Sequence, residues 1–348
     1  MADFNIDAII AEFGARYTPE GQTERDIKTQ LFAASETEAF FSTVPNTGDY
    51  YKSAFATIDE VTQAFGIPFT SKGGSTFEPW ETRLGEYKVD QLFTPDRFKN
   101  SWAGFLAATA EVDRSKWPVI MWYMVNLLLP KITEEQEEEQ SFWGFQKTGV
   151  NASPTVNGTT FVRTFANDTT ATPANAAVNG IHTIIAKMRA AGRSTMNNSG
   201  VWSTDPLEFV TEVEEWIQAV EPKLRRKMDF LFMEEALKNR YIDGRREKYN
   251  KSYAQEADLL LIDKSIIKVQ SLHSMVGAGD FVWMTPALNR IRPIAKESNG
   301  IFDLQKADRS VKIMTDWKKV STFDVPELVV HNDRGALITA ELITERYS

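Results

Sequence analysis

Apolar residues recur at helical spacing along much of the chain, and this pattern predicts a series of helices. The stretch 205–220 carries an apolar stripe on one face and opens with Asp205 three residues before Glu208, the spacing of a capping box. Thr94 and Pro95 form a second helix start, because proline is favoured at the first helical position. The predicted helices cover residues 4–14, 95–109, 117–130, 176–191, 205–220 and 234–249.

The segment 117–130 differs from the other predicted helices because it is apolar on nearly every side. Such a helix is buried on most faces, so we expect Trp122 to lie in the core. Pro130 lacks the amide hydrogen that a continuing α-helix uses, and we expect it to kink or end the helix. The acidic residues that follow are Glu134, Glu135, Glu137, Glu138 and Glu139.

Runs of β-branched and aromatic residues predict strands, most of them in the second half of the chain. The run 228–233 has the composition of a buried strand, whereas 150–173 is rich in Gly, Asn, Thr and Ser and predicts loops with short strands such as 160–165. Further strands are predicted at 259–262, 266–269, 281–284 and within 311–343. Helices and strands together predict an α+β fold.

Residues 66–93 predict a long hairpin whose turn lies at Lys72–Ser75, because glycine tolerates the positive φ of a hairpin tip. Neither arm carries enough apolar residues on one face to form a core, and an isolated hairpin is marginal in water. We therefore expect the hairpin to lie on another copy of the chain. The expected contact residues are Lys72, Gly73, Gly74, Ser75, Phe77 and Trp80.

Composition restricts the class of protein. The 348 residues are 42% hydrophobic and 25% charged, which is ordinary for a globular chain, and 11% aromatic, which indicates large buried or interfacial surfaces. A net charge of −9 argues against tight nonspecific binding to nucleic acid. The chain has 0 cysteines, which excludes disulfides and thiolate metal sites. Because its start lacks a basic segment followed by an apolar core, we expect no signal peptide, and we expect no membrane association.

A search for catalytic chemistry finds no convergent set of residues. His182, His273 and His331 have no metal-ligand spacing, and each is expected to be structural. The segment 277–282 lacks the third glycine of a dinucleotide-binding loop, and neither a nucleophile elbow nor a phosphate-binding loop occurs. We expect no catalytic residue, no cofactor and no metal site.

The acidic cluster Glu134–Glu139 is better explained by electrostatics than by ion binding. It lacks the alternating oxygen-ligand spacing of a calcium loop. Its carboxylates are expected to form a solvated face or to meet basic residues of another subunit. Basic runs at 225–227 and 245–246 fit salt bridges between subunits of the same kind.

The order of elements, together with several short stretches, resembles the major capsid proteins of tailed phages of the Hong Kong 97 type. The order is an arm, a long hairpin, a long helix, a mixed middle and a strand-rich return. The local resemblance is to capsid proteins of phages that infect Bacteroidetes-type bacteria. The stretches that carry it are KWP at 116–118, LPKI at 129–132, FM at 232–233 and FVWMTPALN at 281–289.

The resemblance implies a division of the chain and a function. The implied function is a structural shell protein, not an enzyme, which assembles into an icosahedral virion head around double-stranded DNA. The implied segments are an N-terminal arm at 1–56, an extended loop at 57–94, a peripheral domain with a spine helix at 95–149, an axial domain at 150–305 and a return to the peripheral domain at 306–348.

The resemblance also implies partners. Copies would form pentamers and hexamers and contact a portal and, in some heads, decoration proteins, while packaged DNA would be held weakly. The arm follows directly from Met1, so a separate scaffolding protein is expected, with assembly in the host cytoplasm. Two alternatives stay open: an encapsulin-type compartment shell with the same fold, and an α+β enzyme or carbohydrate-binding protein.

Overall fold

The computed structural model describes most of the chain. The described residues are 6–16, 31, 35–46, 48–65, 69–109, 118–147, 172–197, 202–249, 259–295 and 302–332, together with four two-residue strands between 151 and 164. Trp117 and the predicted strands beyond 332 lie outside these residues.

The predicted helices are present, with shifts of a few residues at their ends. Where α6 begins, the backbone N–H of Glu208 donates to the Asp205 carboxylate at 3.4 Å, as the sequence predicts. The Glu208 carboxylate, however, accepts from Ser203 Oγ at 2.8 Å instead of closing a capping box. The α-helices are α1 Ile6–Arg16, α2 Pro95–Ala108, α3 Val119–Tyr123, α4 Leu129–Glu135, α5 Ile181–Ala190, α6 Pro206–Ala219, α7 Pro222–Arg225 and α8 Glu235–Lys248. Short 3-10 turns lie at Glu38–Phe40, Ala174–Ala176, His273–Met275, Ala287–Asn289 and Pro326–Leu328.

The long helix does not end at Pro130, so that part of the prediction is wrong. Helical backbone continues from 119 to 141, with π-helical turns at Met124–Leu128 and Gln136–Ser141 on either side of α4. A π turn shifts the hydrogen-bond register by one residue, and here it falls directly before the proline. The π turn at Met124–Leu128 makes the backbone hydrogen bonding irregular just before Pro130, which has no N–H to donate. Trp122 is buried, which confirms the predicted core position.

The strands form two main sheets and three two-stranded ladders, and the five-stranded sheet packs into both hydrophobic cores, through Phe232 and Trp283 on one face and Leu231 and Met284 on the other. The α+β class is confirmed. In chain order the strands are β1 Ser42–Asn46, β2 Tyr50–Ile58, β3 Ser75–Arg83, β4 Gly85–Phe93, β5 Asn151–Ala152, β6 Thr155–Val156, β7 Thr159–Thr160, β8 Arg163–Thr164, β9 Thr195–Met196, β10 Met228–Met233, β11 Lys268–Ser271, β12 Val282–Pro286, β13 Arg290–Ala295, β14 Asp303–Ala307, β15 Ser310–Lys319, β16 Thr322–Phe323 and β17 Val330–Asn332.

The six-stranded sheet is built around β15, which pairs along its length with β4 and on its other side with β14 and then β13. Alternate residues of β15 are buried, which matches a strand with one face on the core. β1 pairs parallel with β13, and β16 also pairs with β13. The long helix packs in the same core as this sheet.

The five-stranded sheet has the order β11-β10-β12-β17-β9, with α6 and α8 in its core region. β12 is buried along its whole length, as expected of a central strand covered on both faces. The chain leaves this sheet after β12, enters the six-stranded sheet at β13, and is back in the five-stranded sheet at β17. The described residues after 305 therefore contribute strands to both sheets.

The predicted pairing within residues 66–93 is wrong. β3 pairs antiparallel with β2, so the hairpin extends from Tyr50 to Arg83, and its tip is described at residues 59–65 and 69–74. β4, which was predicted as the second arm, pairs with β15 in the six-stranded sheet. A glycine turn marks a reversal of the chain but does not choose the partner strand, and the long-range β15 ladder claims β4.

Helices α6 and α8 cross at Gly244, and we predict that Gly244→Ala destabilises the fold. A Cβ at this position would lie 2.0 Å from the Pro206 carbonyl oxygen and 2.7 Å from a Val210 methyl group. Backbone must move to accept it, so we expect a loss of about 3 kcal/mol, the upper end for overpacking. Denaturant unfolding measures the change. The matched control is Gly104→Ala in α2, where a Cβ meets nothing within 4 Å; it should stabilise by about 0.5–1 kcal/mol. Equal midpoints for the two variants would contradict the close crossing.

Candidate assembly surface

The hairpin tip, described at residues 59–65 and 69–74, is closed by polar contacts of its own. Asp59 N–H donates to the Gly74 carbonyl at 3.0 Å, and Gln63 Nε2 donates to the Thr70 carbonyl at 2.9 Å. Lys72 donates to the Thr62 carbonyl and pairs with Glu60 at 3.1 Å. Gly73 has a φ of 88°, the left-handed region that favours glycine. The predicted turn residues therefore shape the tip, although they close a longer loop than the sequence indicated.

The outer half of the hairpin presents apolar side chains to solvent. Phe65 and Phe69 at the tip are 96% and 95% exposed, and Ile58, Val61 and Phe77 are also exposed. Scattered exposed apolar residues are normal on soluble proteins, but two almost fully exposed phenylalanines on one loop are not. We call these five residues the hairpin patch.

The base of the hairpin is fixed to the body by hydrogen bonds from both strands. Tyr51 Oη donates to Asp324 Oδ1 at 2.9 Å, and the hydroxyl groups of Thr82 and Thr322 lie 3.0 Å apart. Burial raises the pKa of Tyr51 to about 12, and the Asp324 hydrogen bond adds to this, so Tyr51 stays a neutral donor at physiological pH. The base is thus anchored, whereas Phe65 and Phe69 at the tip are almost fully exposed.

Arg193 makes a third attachment, on the β3 side. Its Nη1 donates to the Pro79 carbonyl at 2.7 Å, its Nε pairs with Glu327 at 2.6 Å, and its guanidinium lies 5.6 Å from the Trp80 ring centroid. The planar guanidinium can hold a carbonyl, a carboxylate and an aromatic face at once. Trp80 therefore serves the attachment inside the chain. The sequence analysis did not identify Arg193, since nothing in the local pattern separates it from a solvated arginine.

The acidic cluster is divided by the structure into exposed and buried members. Glu134 pairs with Lys131 at 2.9 Å, Glu138 lies 3.6 Å from His273 Nε2, and Glu139 is exposed. Burial raises the pKa of Glu135, and the attraction of Lys131 offsets this only in part. These four carboxylates stay predicted contacts with another subunit.

Glu137 is a correction to the sequence analysis, which placed it among the contacts with other subunits. It is buried, and its carboxylate accepts from Thr37 N–H at 2.9 Å, from Thr37 Oγ1 at 2.5 Å and from Ser274 N–H at 3.1 Å. Glu137 lies on the same side of the helix as the buried residues Ile132, Gln136 and Gln140. The sequence analysis grouped the five acids by their closeness along the chain, so the inward position of Glu137 was missed.

We predict that Glu137→Gln destabilises the fold, whereas Glu139→Gln leaves it unchanged. The amide would turn one of the two acceptor oxygens of Glu137 into a donor group facing a buried N–H, at a cost of about 1–3 kcal/mol. Chemical denaturation of both variants checks the difference. Both substitutions remove one negative charge from the same helix, so net charge cannot explain a gap between them. Equal stability would show that Glu137 does not hold the 35–40 segment.

A second buried polar group, also missed from sequence, lies between β1, β13, β15 and the long helix. Glu38 accepts from Lys319 Nζ at 2.8 Å and from Arg292 Nη1 at 3.1 Å, while Lys319 also donates to Gln136 Oε1 at 2.9 Å. Arg292 Nη2 donates to Thr43 Oγ1 at 2.8 Å. We call Glu38, Arg292 and Lys319 the buried charge network. It fixes the segment that leads into the hairpin.

Two of the three histidines are part of the packing. His331 stacks on Phe281 with ring centroids 6.3 Å apart, and His182 meets the same ring edge-on at 6.0 Å. His331 Nε2 lies 2.9 Å from Ser194 Oγ, but its Nδ1 has no hydrogen-bond partner among the described residues, so no carboxylate orients this pair. Burial lowers the pKa of His331 to about 4, which makes it a weak base. The pair lacks the third member that nucleophilic catalysis uses.

The described ranges contain neither a metal-binding cluster nor a membrane-spanning helix. There, no group of three or more acidic or histidine side chains has the geometry to hold a metal ion. Across the same residues, no helix combines the length and apolarity needed to cross a membrane.

Comparison with known proteins identifies the fold. No protein-family model matches the chain, and no curated protein matches it. Among solved structures, it is similar to a chain of the satellite phage P4 procapsid, a structure that includes the size determination (Sid) protein. The TM-score is 0.53 and the identity 12%, with 94% of this chain and 95% of that chain covered.

Capsid chains of two other phages are similar at lower scores. One is from the Myoviridae phage XM1, with a TM-score of 0.46, 9% identity and coverage of 84% of this chain and 89% of that chain. The other is from Mycobacterium phage Ogopogo, with a TM-score of 0.46, 9% identity and coverage of 86% and 91%. The P4 likeness over nearly the whole of both chains establishes a Hong Kong 97-like capsid fold. The finer resemblance to phages of Bacteroidetes-type bacteria stays a prediction.

Proposed function

We propose that this protein is the structural major capsid protein of a tailed bacteriophage, whose copies assemble into an icosahedral head enclosing double-stranded DNA. The observation that carries the proposal is the hairpin patch. In a chain with a capsid fold, the hairpin projects two nearly fully exposed phenylalanines on an anchored base. A surface of this kind needs a partner, and in a shell of identical chains the simplest partner is the next copy.

The structure supports specific roles for the segments. Residues up to β1 form the arm, the hairpin from Tyr50 to Arg83 forms the extended loop, and the long helix at 119–141 forms the spine of the peripheral domain. The six-stranded sheet belongs to the peripheral domain and the five-stranded sheet to the axial domain. Axial domains would meet around five-fold and six-fold axes, as pentamers and hexamers.

The remaining partners follow from the same proposal. A separate scaffolding protein directs assembly in the host cytoplasm, a portal occupies one vertex, and decoration proteins bind the finished head in the virion. DNA contact is weak, because the net charge of −9 opposes tight binding to phosphate. An enzymatic role is not favoured, since the described residues bring no nucleophile, base and orienting group together.

Electron microscopy of the full-length chain tests the proposal, with the chain expressed alone and together with the proteins encoded beside it. We expect closed shells of uniform size with five-fold vertices, and filling with DNA only when the packaging proteins are present. Shells that instead enclose a co-expressed enzyme would favour an encapsulin-type compartment. A chain that stays monomeric under every combination would overturn the proposal.

A further inference from the structure

An open cavity of about 490 Å³ lies between the end of α7, the side of α8 and the loop 261–266. Its lining includes Arg225, Arg226 and Lys264, and we call it the basic cavity. We propose that the basic cavity is a docking site for a carboxylate-bearing surface of a second copy of this chain. The inference rests on the proposed function, because it assigns one contact within the shell.

The basic cavity gathers several cations into one place in a chain whose net charge is −9. Within the described part of the chain, neither Arg226 nor Lys264 pairs with a carboxylate, and Arg225 donates only to Gln218, through its carbonyl at 3.1 Å and its side chain at 2.6 Å. Asp263 is the acidic residue in the lining, against four cations, of which Arg245 pairs with Glu214. Elsewhere, arginines and lysines such as Arg193 and Lys319 have carboxylate partners. The cavity therefore carries a net positive charge that the described structure leaves uncompensated.

The walls of the cavity are held in place before any partner arrives. The loop that carries Lys264 is a tight reversal, closed by the Ile262 N–H donating to the Ile267 carbonyl at 2.9 Å and by a bridge between Leu261 and Lys268. Arg245 on α8 is buried and pairs with Glu214 at 3.1 Å, so its own charge is satisfied. A site with fixed walls loses little conformational entropy when it binds.

The apolar rim decides between a protein and a nucleic acid as the occupant. Ile266 is 66% exposed and Leu261 is 40% exposed, and both line the cavity beside the arginines. Arginine beside aliphatic surface is typical of protein interfaces, whereas surfaces that bind DNA are more polar and more densely basic.

Charge complementarity identifies the partner as another copy. The chain carries 48 acidic and 39 basic residues, so a second copy offers exposed carboxylates over much of its surface. Cations that meet such carboxylates would set the register of neighbouring copies and exclude wrong contacts.

The test compares two double variants of the full-length chain under the assembly conditions used above. Arg226→Gln with Lys264→Gln removes two cations from the cavity. Lys223→Gln with Lys227→Gln removes two exposed cations from the same region that do not line it. Both pairs change net charge equally. We expect both to keep the wild-type thermal midpoint, and only the cavity pair to need about tenfold more protein to assemble.

A crosslinking experiment on wild-type shells identifies the occupant. Shells are made from a mixture of unlabelled and ¹⁵N-labelled copies, and a carbodiimide joins amines to carboxylates in direct contact. We expect Lys264 to give crosslinked peptides of mixed isotope content in shells and none in monomers.

Failure of this inference differs from failure of the proposed function. If the wild-type chain never forms shells, the proposed function fails and the docking site fails with it. If shells form but the two double variants assemble alike, or Lys264 crosslinks only within its own copy, the docking site alone is wrong. If the cavity pair assembles normally but loses binding to a short DNA duplex, the cavity binds phosphate instead.

Discussion

Glu38→Gln is expected to cost about 3–5 kcal/mol of folding free energy, the range for breaking a buried ion pair on one side. Lys319 is fully buried and Arg292 nearly so, and Glu38 is the carboxylate that both of them contact. The amide keeps the shape of the side chain but leaves the two cations without an anion. Denaturant unfolding measures the loss.

The control is Asp49→Asn. Asp49 pairs with Lys318 at 2.6 Å, one residue along the same strand from Lys319, but this pair is exposed. Exposed pairs contribute little because water screens both charges. We expect no resolved change in the midpoint. If the two variants were equally stable, the buried charge network would not hold the arm.

The pH dependence of the unfolding free energy, compared between wild type and Glu38→Gln, gives an independent check. Burial alone would raise the pKa of Glu38, but the attraction of Lys319 and Arg292 and their hydrogen bonds outweigh it and hold this pKa below the ordinary value of 4.5. A carboxyl group with a lowered folded pKa stabilises the fold above its unfolded pKa, and this contribution is lost as pH falls through the folded pKa. The stability gap between wild type and Glu38→Gln should therefore be full at neutral pH and narrow below about pH 4.5.

Part of the buried charge network can be predicted from the sequence, because the periodicity of β15 shows that Lys319 points inward. The alternation of β15 places Val311, Ile313, Thr315, Trp317 and Lys319 on one face, and the structure buries that face. Strand periodicity thus predicts an inward lysine, and a buried lysine requires an anion. Which anion could not be predicted, because Glu38 lies in a distant segment and has no pattern that marks it as inward.

For the hairpin, the sequence predicted the position of the turn correctly but the partner strand wrongly. Gly73 does supply a left-handed turn residue. The partner of β3, however, is β2, across a tip that has no strand signal, and β4 is taken by β15, far along the chain. Local propensity determines where a chain turns. Strand pairing depends on competition among all strands, including distant ones, so a short stretch of sequence cannot predict it.

The long helix shows what composition predicts and what it does not. The helix was expected to end or kink at Pro130, whereas helical backbone continues through π turns on both sides of α4. In its second half Ile132, Gln136, Glu137 and Gln140 are buried at ordinary helical spacing, so the inward position of Glu137 follows from its apolar neighbour Ile132 and not from the run of acids. The element itself, its apolar character and the burial of Trp122 were predicted, since these depend only on composition over several turns.

Phe65→Ser combined with Phe69→Ser should abolish shell formation while leaving the isolated chain folded. Both rings are almost completely exposed, so their removal takes no packing from the monomer. Burying a phenylalanine gains about 1.5–3 kcal/mol, and each 1.4 kcal/mol is about a tenfold change in an association constant. Two rings at every hairpin contact are therefore worth a hundredfold or more, on the order of the affinity that a weak contact within a shell has in total. Light scattering and electron microscopy report assembly, and thermal unfolding reports the monomer.

Leu288→Ser is the matched control, because Leu288 is 93% exposed, close to the two phenylalanines, but lies on the short turn Ala287–Asn289 and not on the hairpin. It should assemble like wild type, which would separate the position of the apolar side chain from its mere exposure. If the double variant formed normal shells, the hairpin patch would not be an interface. If it unfolded, the phenylalanines would belong to the core of their own chain. The expected combination, a stable monomer that no longer assembles, follows only from a hairpin built on an anchored base with its apolar tip reserved for the next copy.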